Sequence, residues 1–282
     1  MIAGNHDLRL WMGLNAVLNS TVSDLHFFVR MMPKVLPLFI EALGMPEAGL
    51  FPVSNLPNEA SCRDLLMPPR AWAEAFKTLN AGRLSGKAIQ KELDRTAKKV
   101  EQLPQKLREC GLSFRQLYRA TQVCRFLFLN PQGRYAWFFR EMKLIHREGS
   151  FVFVHAGLCN EVASLLSTEG CEAINTKFDQ LVHSDDLSAV YFGPLFNTVR
   201  TKYRDTDYDL TQHNVEQLFA CGIHAVVHGH RSRQQGQRLT LRKGIIHFEA
   251  DITLDINSRR NENLQGQGAG ALVIDPSGEV RG

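Results

Sequence analysis

Apolar and polar positions along this chain follow two different periods. Leu14, Val17, Leu18, Leu25, Phe28 and Val29 recur at helical spacing, which predicts helix over much of residues 8–43, with Pro33 and Pro37 interrupting it. Residues 44–58 carry Pro46, Pro52 and Pro57 and read as a loop. From residue 68 to about 146 the helical period returns. Pro69 can open a helix over 71–76. Ser85 is placed to cap a long amphipathic helix whose apolar stripe is Ile89, Leu93, Ala97, Val100 and Leu107. Ser113 starts another helix running toward Leu129, and Pro104 and Gly111 punctuate between the two. The block reads as a helical hairpin. Beyond it the pattern shortens to strand-like runs at 151–154, 225–227, 238–241, 245–249 and 271–274, with helices after Leu158 and over 215–221. Residues 238–241 and 245–249 are predicted to belong to a second, mixed sheet.

Composition narrows the class. With 282 residues and 44% hydrophobic content the chain can build one large core, and no linker separates independent domains, so residues 1–282 read as a single domain with 68–146 inserted in it. A net charge of +4 is too small to imply nucleic acid. Lys87, Lys91, Arg95, Lys98 and Lys99 are mixed with Glu92, Asp94 and Glu101, as on a solvated helix face. The six cysteines form no Cys-x-x-Cys pair, several sit in apolar helical patterns, and neither a secretory signal nor a membrane-length apolar run is evident. The expectation is a reduced, cytoplasmic protein with no membrane partner.

The chemistry lies at the ends of the strand-like runs. Met1-Ile2-Ala3 runs into Gly4-Asn5-His6-Asp7, Phe151–Val154 into His155-Ala156-Gly157, and 225–227 into His228-Gly229-His230. The C-terminal edge of an open α/β sheet is where ligands bind. Imidazole, amide oxygen and carboxylate together suit a divalent metal. One histidine after a strand is ordinarily a satisfied structural residue, but the same local design three times is hard to explain by packing. His230 is the metal candidate of its pair, because His228 still belongs to the strand. His247, inside a strand, reads as a packed histidine.

These motifs, in this order, resemble the later motifs of the calcineurin-like metallophosphoesterases, and most closely the phosphoprotein phosphatase branch with its bacterial members. The resemblance spans nearly the whole chain in scattered blocks. It implies a two-sheet sandwich flanked by helices, with the helical hairpin inserted. It also implies phosphoester hydrolysis at a pair of divalent ions of the Mn, Fe or Zn type. Asn5, His155 and His230 would hold one ion and His6 would be the general acid, with Asp7 behind them. Arg200, in a segment resembling the one that supplies a phosphate-binding arginine, would bind substrate, with Arg204 its rival. The substrate would be a phosphorylated protein or nucleotide, and the inserted hairpin is a candidate protein-docking arm.

The chain also departs from the family. The Asp-x-His and Gly-Asp-x-x-Asp-Arg-Gly motifs that precede Gly-Asn-His there do not precede it here. Asp24-Leu25-His26 spells the first but lies in a helix-like stretch and reads as a chance match. The resemblance therefore implies that a first strand or two, with half of the metal ligands, is missing, and that the chain is inactive or incomplete as it stands. Two alternatives share the same motifs: a non-catalytic binding module, and a nucleotide pyrophosphatase of the dinucleoside polyphosphate type.

Overall fold

The computed structural model describes all residues except 20, 21, 23, 185, 204–206, 208, 209, 232–236, 252, 255, 266, 267 and 269. The chain divides into two compact units. One comprises His6–Met142 and Ser184–Phe192, the other Met1–Asn5, Lys143–His183 and Gly193–Gly282.

The first unit is helical. Its elements are α1 (Asn5–Asn19), α2 (Leu25–Ala42), α3 (Glu59–Leu66), α4 (Trp72–Asn80), α5 (Gly86–Glu109), α6 (Phe114–Leu129), α7 (Ala136–Arg140) and, after the return of the chain, α10 (Leu187–Phe192). The hairpin expected over 68–146 is thus part of a larger helical body. Its C-terminal bound runs into a strand, because Ile145 and His146 already pair in the sheet. Ser85 caps α5 by accepting from the Ala88 N–H, and Ser113 with Gln116 forms a reciprocal capping box on α6.

Three expectations about these helices need correction. α2 continues through Pro33 and Pro37, and α5 through Pro104. An interior proline costs about 3 kcal/mol. In α2 the side chains of Phe28, Met32, Leu36 and Phe39 are all buried, and each contributes roughly 1.5–3 kcal/mol, so the stripe outweighs both breaks. Leu103 and Leu107, both buried, play that part on either side of Pro104. The third correction is the face of α5. Ala97 is exposed, while Glu92 and Thr96 are buried with Leu103 and Leu107. A charged residue joins the buried face because Arg30 of α2 pairs with the Glu92 carboxylate and also donates to the Tyr191 hydroxyl. His26 is fully buried against the rings of Trp72 and Phe76, as suits a chance Asp-x-His.

The second unit is α/β. Its strands are β1 (Ile145–Glu148), β2 (Phe151–Val154), β3 (Ala225–His228), β4 (Arg238–Arg242), β5 (Ile245–Glu249), β6 (Val273–Ile274) and β7 (Val280–Arg281). Its helices are α8 (Asn160–Thr168), α9 (Gly170–Val182), α11 (Gln212–Ala220) and α12 (Ile256–Asn261). α8 packs on α9 and α11, and α9 on β1. Five strands form one mixed sheet in the order β1-β2-β3-β5-β4; β6 and β7 form a separate pair. This corrects the placing of 238–241 and 245–249 in a second sheet. β5 pairs with β3 in parallel, and β4 turns back on β5 as the edge strand. Register explains the choice. Val226 lies across from His247 and His228 from Glu249, so the buried His247 of β5 comes within 3.2 Å of His228 on β3. Among the described residues no helix is long and apolar enough to cross a membrane.

Candidate functional site

Strand direction gathers the candidate residues of the α/β unit. β2, β3 and β5 are mutually parallel, so their C-terminal ends lie at one edge of the sheet. His155 follows the last residue of β2, Gly229 and His230 follow β3, and Glu249 closes β5. The first residues of the chain reach the same edge through β1, whose Ile145 lies opposite Val154. Just ahead of it, Lys143 forms a parallel bridge with Ile2. Its carbonyl accepts the Ala3 N–H at 2.9 Å, and its N–H donates to the Met1 carbonyl at 2.9 Å. Gly4 then leads directly into α1.

The structure brings Asn5, His155 and His230 together. His155 Nε2 lies 3.1 Å from Asn5 Oδ1, and Asn5 is buried. The His155 and His230 rings have centroids 5.1 Å apart. Backbone stitches the two turns, with the Gly229 N–H donating to the His155 carbonyl at 2.9 Å. His230 has φ of 67°, a left-handed conformation two residues past the end of β3. Such a conformation in a non-glycine residue costs of order 1–3 kcal/mol and persists where surrounding structure imposes it.

These dimensions fit a shared divalent ion. Two donor atoms each about 2.1 Å from one ion are roughly 3.0–3.4 Å apart at octahedral to tetrahedral angles. Two imidazoles on that ion place their ring centroids roughly 4.6–5.3 Å apart. The donor set is neutral and of borderline softness, which suits Mn, Fe or Zn better than Ca. Its limit is charge. Among the described residues no group of three or more His, Cys, Asp or Glu side chains gathers as a metal site. Among those residues no carboxylate therefore completes a three-ligand group with the two imidazoles, and the Asn5, His155 and His230 donors suffice for one ion.

Beneath the His230 turn lies a second histidine pair. His228 and His247 are buried, with His247 Nδ1 3.2 Å from His228 Nε2. His228 Nδ1 lies 3.3 Å from the Gly229 carbonyl, which can only accept, so Nδ1 carries the proton. His228 Nε2 then accepts from the His247 Nδ1–H. Burial pushes His228 down to about 4. Burial, together with the neighbouring His228 and Arg242, pushes His247 down to about 3. Both are neutral at pH 7. Their folded values lie below the unfolded value near 6.5, so the fold gains from them above that pH and loses the gain as pH falls toward 4 and then 3. At pH 5 the loss is expected to be about 2 kcal/mol for each histidine that stays neutral in the fold. Urea denaturation at pH 7 and pH 5 should show it, and His247→Gln should flatten the difference.

The other candidates stand as follows. Arg200 follows the helical turn Pro194–Val199; its Nε donates to Asn197 Oδ1 at 3.0 Å, and its guanidinium lies 5.5 Å from the Phe196 ring centroid. Arg204 lies outside the described residues. His6 is exposed and Asp7 half-buried in the first turn of α1. Cys159 follows the His155 turn, but burial pushes its thiol up to about 11, so it is no nucleophile near neutral pH.

Two residues escaped the sequence reading. Glu249 is wholly buried, and its Oε1 draws Arg238 at 2.7 Å, Arg242 at 3.6 Å and Arg231 at 3.9 Å. The strand-end rule that singled out the histidines applies to it equally. Tyr203 receives the Leu158 N–H on its hydroxyl oxygen at 2.8 Å, and no sequence signal marks it. Comparison with protein-family models, curated proteins and solved structures finds no match to this chain.

Proposed function

We propose that this chain is a metallophosphoesterase-like α/β protein of the calcineurin type that contributes one half of a dinuclear centre for phosphoester hydrolysis. The observation that carries the reading is the meeting of Asn5 Oδ1, His155 Nε2 and the His230 ring within 3.1 and 5.1 Å, from three segments far apart in sequence. Asn5, His155 and His230 would hold a divalent ion, which would polarise a phosphoryl oxygen and activate a water. His6, next to Asn5 in the chain, is assigned as the general acid that protonates the leaving oxygen, and Asp7 is assigned a place behind the ligands. Arg200 is assigned to the phosphate oxygens, which a guanidinium can bind in a fork. A phosphorylated protein is the substrate favoured by the resemblance to the phosphoprotein phosphatase branch, and a dinucleoside polyphosphate is the rival. The absence of a gathered carboxylate among the described residues favours a second reading of these 282 residues taken alone, as a metal-binding module without full catalysis.

Calorimetric titration of the chelator-stripped protein with Mn²⁺ or Zn²⁺ tests the site. One ion per chain is expected. His155→Ala and His230→Ala should each weaken binding by more than the ~10–100-fold typical of losing a group that only supports a ligand. Equal binding by the variants would place the ion elsewhere.

A further inference from the structure

We propose that Tyr203 is the positioning residue of this centre, fixing the turn that carries His155 against the strand that carries His230. The inference rests on reading Asn5, His155 and His230 as a metal site.

The three residues after His155 have their backbone N–H groups committed. Those of Ala156 and Gly157 donate to the Thr198 carbonyl at 2.7 and 3.3 Å, and that of Leu158 donates to the Tyr203 hydroxyl oxygen at 2.8 Å. The approach is close enough to require glycine at 157. A Cβ there would lie 2.2 Å from the Tyr203 oxygen, and the backbone has φ of 152°. On the ring's face sits the Arg242 guanidinium, 4.2 Å from the centroid, a cation–π contact. The ring also meets His247 edge-on, with centroids 5.3 Å apart, and approaches His228 at 5.8 Å. One side chain therefore touches the His155 turn through its hydroxyl and the histidine pair beneath His230 through its ring. Tyr203 itself has φ of 52°, a conformation rarely adopted by residues with side chains. A direct stitch between the turns runs from the Gly229 N–H to the His155 carbonyl. Tyr203 adds a further connection, and donor atoms must be held to a few tenths of an ångström to share an ion.

Tyr203→Phe keeps the ring and removes the hydroxyl. Co²⁺ alone is the probe, added to the full chain after chelation, with its visible d–d absorption as readout. The wild type should bind one ion with a defined band, and His155→Ala should abolish it. Tyr203→Phe should weaken binding about tenfold, within the range for groups that orient a ligand, and shift the band, while the metal-free melting temperature falls only by the few degrees that one lost hydrogen bond costs. Arg242→Met leaves the tyrosine in place and frees its ring face, and should change the band in the same sense; it decides the matter if Tyr203→Phe fails to fold. A Tyr203→Phe protein, or in that event an Arg242→Met protein, that titrates with wild-type affinity and spectrum overturns the role of Tyr203 alone. A wild type without a His155-dependent band overturns the metal site and this inference together.

Discussion

Glu249→Ala is expected to lower stability by about 3 kcal/mol. The carboxylate is wholly buried at the end of β5 and meets three guanidiniums, those of Arg231, Arg238 and Arg242, whose side chains are 26, 41 and 21% exposed. Breaking a fully buried ion pair by removing one partner costs about 3–5 kcal/mol, because the remaining charge is left unmatched. Here the arginines retain some water, which puts the effect at the lower end. Glu249→Gln should cost less, about 1–2 kcal/mol, because its amide oxygen still accepts from Arg238. Urea denaturation of the two variants is the check. The account of this cluster fails if Glu249→Ala is as stable as the wild type.

The second large effect is on turnover. The polypeptide of residues 1–282, supplied with excess Mn²⁺, is expected to hydrolyse p-nitrophenyl phosphate at or near the uncatalysed rate. Hydrolysis of this kind uses two ions roughly 3.5–4 Å apart that stabilise both the attacking and the leaving oxygen. On the proposed reading Asn5, His155 and His230 would be neutral donors for one ion. A second ion beside the first meets strong repulsion unless carboxylates lie between them. Among the described residues none gathers with the two imidazoles. The general acid assigned to His6 can contribute typically 10²–10⁴-fold, which does not replace the metal pair. Robust turnover by the purified chain, abolished by His155→Ala, would show that one ion suffices and that this mechanism is wrong.

How much of this was legible in the sequence depends on the range of the forces involved. Asn5, His155 and His230 stood out because each follows a short apolar run, and a strand's end is a local property. The caps at Ser85 and Ser113 were legible for the same reason, since a capping side chain answers to residues three positions away. What escaped was set by partners distant in sequence. Glu92 joins the buried face of α5 only because Arg30 reaches it from α2. α2 passes its prolines because Phe28, Met32, Leu36 and Phe39 all find a core. β5 could not be assigned to its sheet without knowing that β3 offers His228 and Val226 as neighbours. Tyr203 carries no motif at all; its meaning lies in Leu158, Gly157 and Arg242, which only the folded chain places around it.

The central claim is that Asn5, His155 and His230 share one divalent ion. Its most direct test is anomalous diffraction at the metal absorption edge from crystals of the full chain grown with Mn²⁺ or Zn²⁺. The expected result is a single strong peak within about 2.0–2.2 Å of Asn5 Oδ1 and of one nitrogen on each imidazole, with the direct His155–Asn5 hydrogen bond replaced by coordination. A peak elsewhere, or none while His155 Nε2 still donates to Asn5 Oδ1, would contradict it.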